Sequence, residues 1–173
     1  MDTKTATEVQ ARVPARTNEW HGGHQRIPLL RYVIHARPLV ALTAPLIYAM
    51  IVPFFLLDLG VGLYQLVCFP IYGIAKVRRA DYLIFDRARL PYLNALERLN
   101  CAYCSYANGL IAYVREIAAR TEQYWCAIKH SKQAPAPHDR YGAFAEFGDP
   151  HDYGAKRDRL RQALSAEETG DQR

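Results

Sequence analysis

Pro38-Leu-Val-Ala-Leu-Thr-Ala-Pro-Leu-Ile-Tyr-Ala-Met-Ile-Val-Pro-Phe-Phe-Leu-Leu-Asp58-Leu-Gly-Val-Gly-Leu-Tyr-Gln-Leu-Val-Cys-Phe-Pro-Ile-Tyr-Gly-Ile-Ala75 is the stretch on which the fold turns. Its 38 residues contain no lysine, arginine, histidine or glutamate, and Asp58 is their one charge. About 20 apolar residues cross a bilayer core as a helix, so the block is too long for one span and barely long enough for two. Half of all residues are hydrophobic, yet mean hydropathy is −0.19, so the polar residues are concentrated outside the block.

Charge on the two flanks gives an orientation. Arg26, Arg31 and Arg37 precede the block, and Lys76, Arg78 and Arg79 follow it. Basic flanks prefer the cytoplasmic side. A helical hairpin with arms Pro38–Leu57 and Leu59–Ala75, turning at Asp58-Leu-Gly60, satisfies both flanks. It also keeps the Asp58 carboxylate near water, where its burial cost is smallest. Pro45, Pro53 and Pro70 are expected to kink the arms, which makes a shallow re-entrant hairpin an alternative to a two-pass anchor. A single tilted span would leave Asp58 deep and Lys76, Arg78 and Arg79 on the opposite side. The net charge of +5 is spread along the chain and grouped around the block, which fits membrane topology better than nucleic acid.

Working outward, residues 1–30 read as a flexible polar head, 31–79 as the membrane hairpin with its basic flanks, 80–130 as a helical Cys/His domain, and 131–173 as a flexible tail. A cleaved signal peptide does not fit so long a polar lead. Tyr82–Phe85 reads as a short strand or a segment lying on lipid. A helix is expected from Pro91, with Leu93, Leu96, Leu99 and Tyr103 on one stripe. Asn108-Gly109 signals its end. A second helix, Leu110–Ile128, follows, with Glu116 and Arg120 on a solvated face. A short basic helix is expected over residues 155–168. The fold class is therefore all-α: an integral membrane hairpin, then a small cytoplasmic helical domain, with disordered termini.

The chemistry-bearing residues are cysteines. Cys101-Ala-Tyr-Cys104 and Cys126-Ala-Ile-Lys-His130 supply the two half-motifs of a Cys3His zinc site. A reducing compartment favours metal or free thiols over a disulfide. The spacing leaves three readings open: zinc on Cys101, Cys104, Cys126 and His130; buried reduced cysteines; or a redox pair at Cys101 and Cys104. The zinc reading requires the segment Cys101–Gly109 to fold back, the second helix to break near Thr121, or two copies to contribute one pair each. The Glu-x-x-His pairs of a di-iron centre do not occur. His21-Gly-Gly-His24 reads as a polar flexible segment. No phosphate loop, nucleophile elbow or dinucleotide fingerprint is present.

The strings Leu99-Asn-Cys-Ala-Tyr-Cys-Ser-Tyr-Ala-Asn-Gly109 and Arg120-Thr-Glu-Gln-Tyr-Trp-Cys-Ala-Ile-Lys-His130 resemble an uncharacterised family of short bacterial inner-membrane proteins. The resemblance covers about residues 27–130 and departs from the family at Ala127, where the family has proline. It implies a bacterial inner-membrane location and carries no activity. The expected function is a membrane-anchored accessory protein, both termini cytoplasmic, that docks to a larger membrane protein or to a second copy of itself, without nucleic acid. The alternative is a membrane-bound thiol or metal redox enzyme using Cys101 and Cys104.

Overall fold

A computed structural model describes residues 38–132, 135–151 and 153–170. The polar head, His21, His24 and the basic flank Arg26, Arg31 and Arg37 lie outside the described residues. Those described form four α-helices and three short 3-10 turns, with one isolated parallel bridge, Ile128 to Ala145. Helix α1 is Pro38–Ala49, α2 is Ile51–Tyr72, α3 is Ala95–Trp125 and α4 is Tyr153–Gly170. The all-α expectation is met.

The turn expected at Asp58–Gly60 is absent: those residues lie in the middle of α2. An apolar segment with Gly60 and Gly62 keeps its helix because the helix satisfies every backbone group internally. The interruption comes earlier, at Met50, whose N–H bonds Ile47 O at 3.2 Å in a tightened turn. Pro53 has no N–H to return to Ala49, so the helix restarts around it, with proline tolerated in the new first turn. The run Leu42–Tyr72, 31 residues, is long and apolar enough to cross a membrane, and it is the one such helix among the described residues.

Helix α2 ends at Gly73, which adopts φ +65°. Ile74 N bonds Phe69 O at 2.9 Å and Gly73 N bonds Pro70 O at 3.3 Å. This is the paired closure that a left-handed residue makes possible at a helix end. The connector of residues 73–94 then runs back along α2. Val77 lies beside Gln65, Arg79 beside Asp58, and Arg87 beside Ser105.

Helix α3 begins at an Asn94 capping box, Glu97 N to Asn94 Oδ1 at 2.9 Å and Asn94 N to Glu97 Oε2 at 2.8 Å, and not at Pro91. It continues through Asn108-Gly109 without ending. Gly109 is needed for a different reason: a Cβ there would stand 2.5 Å from Tyr82 O, so glycine lets the connector lie against the helix. The end of α1 and the whole of α2 run in the same direction as α3. Tyr48 bonds Asn100, Asp58 meets Tyr106, Gln65 meets Tyr113, and Tyr72 stacks on Tyr124 with ring centroids 5.2 Å apart.

The described part of the expected loose tail is packed. Phe144 and Leu164 are fully buried, and Ala145 exchanges bonds with Ala127 O and Lys129 N, each 2.8 Å. The helix expected over 155–168 is α4, and it lies against α3, with Gln123 Nε2 donating to Leu160 O at 2.8 Å.

Candidate functional site

Helix α2 is amphipathic in the sense opposite to a water-soluble helix. Its exposed side chains include Phe55, Leu56, Leu59, Leu63, Leu66 and Ile71, each about 60–73% accessible. Its polar residues Asp58, Tyr64, Gln65, Cys68 and Tyr72 are all at least partly buried against the rest of the protein. Asp58, Gln65 and Tyr72 recur at seven-residue intervals, which keeps them on one side of the helix.

Two polar clusters occupy that inner side. Asp58 receives Arg79 Nε at 3.2 Å and Nη2 at 2.5 Å, with Tyr106 Oη donating at 3.1 Å. A forked guanidinium with an added hydroxyl meets the lone pairs of a carboxylate that is only 15% exposed. The hydrogen bond to Asp58 raises the Arg79 pKa against the opposing effect of burial, so Arg79 stays charged. Two helical turns on, Gln65 acts as a surrogate strand. Its Oε1 accepts from Val77 N at 2.8 Å, while Nε2 donates to Val77 O at 3.2 Å and to Tyr113 Oη at 3.0 Å.

A third cluster ties the C-terminal segment to α3. Arg140 Nη2 reaches Glu116 Oε1 at 2.7 Å and Glu167 Oε2 at 2.9 Å, and Nη1 reaches Gln123 Oε1 at 3.1 Å. Arg120 bonds Glu116 at 2.9 Å and the carbonyl of Ala75 at 2.6 Å. Glu116 and Arg120 do pair as their spacing suggests, but across a partly buried junction and not on a solvated face.

The four candidate zinc ligands do not meet. Cys101 and Cys104 sit one turn apart near the start of α3, Cys101 half-buried and Cys104 exposed. Cys126 is exposed at the helix C-terminus, and its N–H bonds Glu122 O at 2.7 Å. An unbroken helix puts Cys104 and Cys126 about 33 Å apart at 1.5 Å per residue. Neither the break near Thr121 nor the fold-back at Gly109 occurs. The His130 ring stacks on Tyr141, whose hydroxyl accepts the His130 N–H at 2.6 Å. Among the described residues no group of three or more His, Cys, Asp or Glu is placed to hold a metal. The donor set of one chain therefore does not fit a Cys3His ion.

Sequence reasoning treated Arg79 as a topology charge, took Tyr113 as an anchoring or packing aromatic, and passed over Gln65 and Arg140. The seven-residue recurrence of polar side chains in an apolar block was the available signal for the first two clusters; Arg140 had none. No protein-family model matches the chain, and neither a curated protein nor a solved structure matches it.

Proposed function

We propose that this chain is a membrane-anchored accessory protein without catalytic activity. The outer face of α2 lies in the acyl region, while α3 and the C-terminal segment form a polar platform for a larger membrane protein. The observation that carries the reading is the reversed amphipathicity of α2: polar side chains packed inward and apolar ones outward. In water such an outer face would be a large aggregation-prone patch; in lipid it is the ordinary arrangement.

The parallel partner limits the depth. Helix α3 is uncharged only from Leu99 to Val114, 16 residues or about 24 Å, against a hydrocarbon core of about 30 Å. Arg98 on one side of that stretch and Arg115, Glu116 and Arg120 on the other then favour a shallow, one-leaflet immersion over a full crossing. The family resemblance makes this membrane the bacterial inner one, with both termini on the cytoplasmic side. The docking face is the uncharged outer stripe of α3, Cys104, Asn108 and Ile111, all exposed. Zinc on Cys101 and Cys104 belongs to this reading only as an ion shared with a second copy.

The test combines alkaline carbonate extraction with a membrane-impermeant maleimide on closed vesicles of known orientation. Retention in the membrane is expected, with Cys126 modified in closed vesicles and Cys104, inside the immersed stretch, modified only after detergent is added. Release by carbonate, or equal modification of the two in closed vesicles, overturns the anchor. The redox alternative keeps one supporting observation, that Cys101 and Cys104 remain one turn apart with Cys104 exposed. Alkylation across a range of redox potentials discriminates it: a pair that stays reduced throughout rules it out.

A further inference from the structure

One groove along α2, at the edge where its apolar outer face meets the Asp58–Arg79 pair, differs from the rest of that surface. It has a volume of about 380 Å³ and is lined by Phe55, Asp58, Leu59, Gly62, Leu63, Leu66 and Arg79. The volume falls within the range of small-molecule sites, roughly 300–1,000 Å³. The lining positions on α2 recur every three or four residues, so the groove follows the helix axis for about 16 Å from Phe55 to Leu66. It is apolar along its length and carries the Asp58–Arg79 pair toward one end.

Gly62 lines the groove. A Cβ placed on it would meet nothing within 4 Å, and it lies within a continuous helix. Neither packing nor backbone conformation calls for glycine there, and glycine weakens a helix interior relative to alanine. What the missing side chain does is leave the groove open beside Arg79. Gly60 has equally open space around it but does not line the groove.

Arg79 can hold an anion there without giving up its partner. Asp58 takes one N–H from Nε and one from Nη2, and a guanidinium has three more. The Arg79 side chain is 52% exposed. Lys76 and Arg78, also exposed, follow the same connector. Basic side chains beside an apolar face attract anionic headgroups, and arginine recognises phosphate through paired N–H groups.

We propose that this groove binds one anionic glycerophospholipid, its phosphate on Arg79 and an acyl chain along Gly62 toward Leu66. The proposal rests on the membrane reading above and gives it a specific lipid. Asp58 orients the guanidinium and already balances its single charge, so Arg79 offers the phosphate its remaining N–H donors while the nearby Lys76 supplies the offsetting charge.

The test is native mass spectrometry of the full chain, purified in detergent and incubated with phosphatidylglycerol or phosphatidylcholine. One phosphatidylglycerol per chain is expected, retained about tenfold better than phosphatidylcholine, whose phosphate is the same but whose choline cation is repelled by Arg79 and the neighbouring Lys76. Gly62→Leu, which fills the groove, and Arg79→Gln should each lower retention about tenfold. Gly60→Leu, the same change outside the groove, should leave it unaltered. Equal retention by Gly62→Leu and wild type, or an equal loss in Gly60→Leu, shows annular lipid only and overturns the site. Equal retention of the two lipids overturns the headgroup assignment. Each variant is also carried through carbonate extraction: release of the wild type refutes the anchor itself, whereas loss of lipid from a variant that stays in the membrane concerns the groove alone.

Discussion

Replacing Gln65 by methionine removes one amide and keeps nearly all of its length. The side chain is 8% exposed and holds the returning connector to both helices through three hydrogen bonds, two to Val77 and one to Tyr113. Methionine fits the space but strands the N–H and C=O of a residue that is itself 5% exposed. At about 1 kcal/mol net for each lost bond the cost is about 3 kcal/mol, and the unsatisfied backbone groups push it upward. For a chain of this size 1 kcal/mol moves the melting temperature by about 2–4 °C, so a fall of about 6–12 °C is expected. The assay is thermal unfolding in detergent, followed by circular dichroism and by Trp125 fluorescence. Hydrogen exchange adds a local readout, since the Val77 amide should be protected in the wild type and exchange quickly in the variant. A melting point within roughly 2 °C of wild type, or an unchanged Val77 amide, would refute the idea that Gln65 pins the connector.

Three further outcomes follow from the same geometry. Gly109→Ala drives a methyl group toward Tyr82 O, so it should destabilise by about 1–3 kcal/mol although alanine is the better helix former by about 1 kcal/mol; a higher melting temperature would contradict the close approach. Burial pushes Glu167 upward, but hydrogen bonds and charge from Arg140 outweigh it and hold the carboxyl below its usual 4.5. A carboxylate depressed in the fold stabilises above that value and stops doing so as pH falls through its folded pKa, while Arg140, whose pKa is raised, keeps its charge. The α4 amides should therefore lose protection relative to α3 between about pH 5 and pH 3, as measured by hydrogen exchange corrected for intrinsic rate; equal α4 protection at both ends of that range would sink the clasp. Finally, mild oxidation of the monomeric chain should yield no disulfide between Cys126 and either Cys101 or Cys104, which peptide mapping under non-reducing conditions checks, because a disulfide tolerates only about 4.4–6.8 Å between Cα atoms.

The parts of this fold that could be read in advance are those set by local composition. The apolar block, the helical class and the short helix near residues 155–168 all come from runs of like residues or from period. The turn within the block did not, because Gly60 and Gly62 weigh as turn formers only when the chain has water to satisfy an opened backbone. Asp58 pointed to the far interface only while it was considered alone. Arg79, 21 residues further on, neutralises it mid-helix, and no local rule connects the two. The tail shows the same limit from the other side. Its Gly, Pro and charged residues look loose, yet Phe144 and Leu164 fill the core and Arg140 closes two carboxylates across α3.

The cysteine pattern separates what spacing can establish from what it cannot. Cys-x2-Cys and Cys-x3-His each place two donors within reach of one another, and that much is local. Joining the halves depends on whether the 21 residues between Cys104 and Cys126 bend. They do not, for a reason visible only in three dimensions. Gly109, which looks like a helix stop, is the point where the connector presses on α3, and a helix packed there is supported from outside through the position where it would otherwise end. The expected stop at Gly109 is thus absent, and the unbroken helix through it keeps the two half-motifs apart. The same contact holds Tyr82 and Leu83 against the helix. Further back along the connector, Arg79 lies beside Asp58 at the lipid groove. The glycine that removes one candidate site therefore helps to place the other.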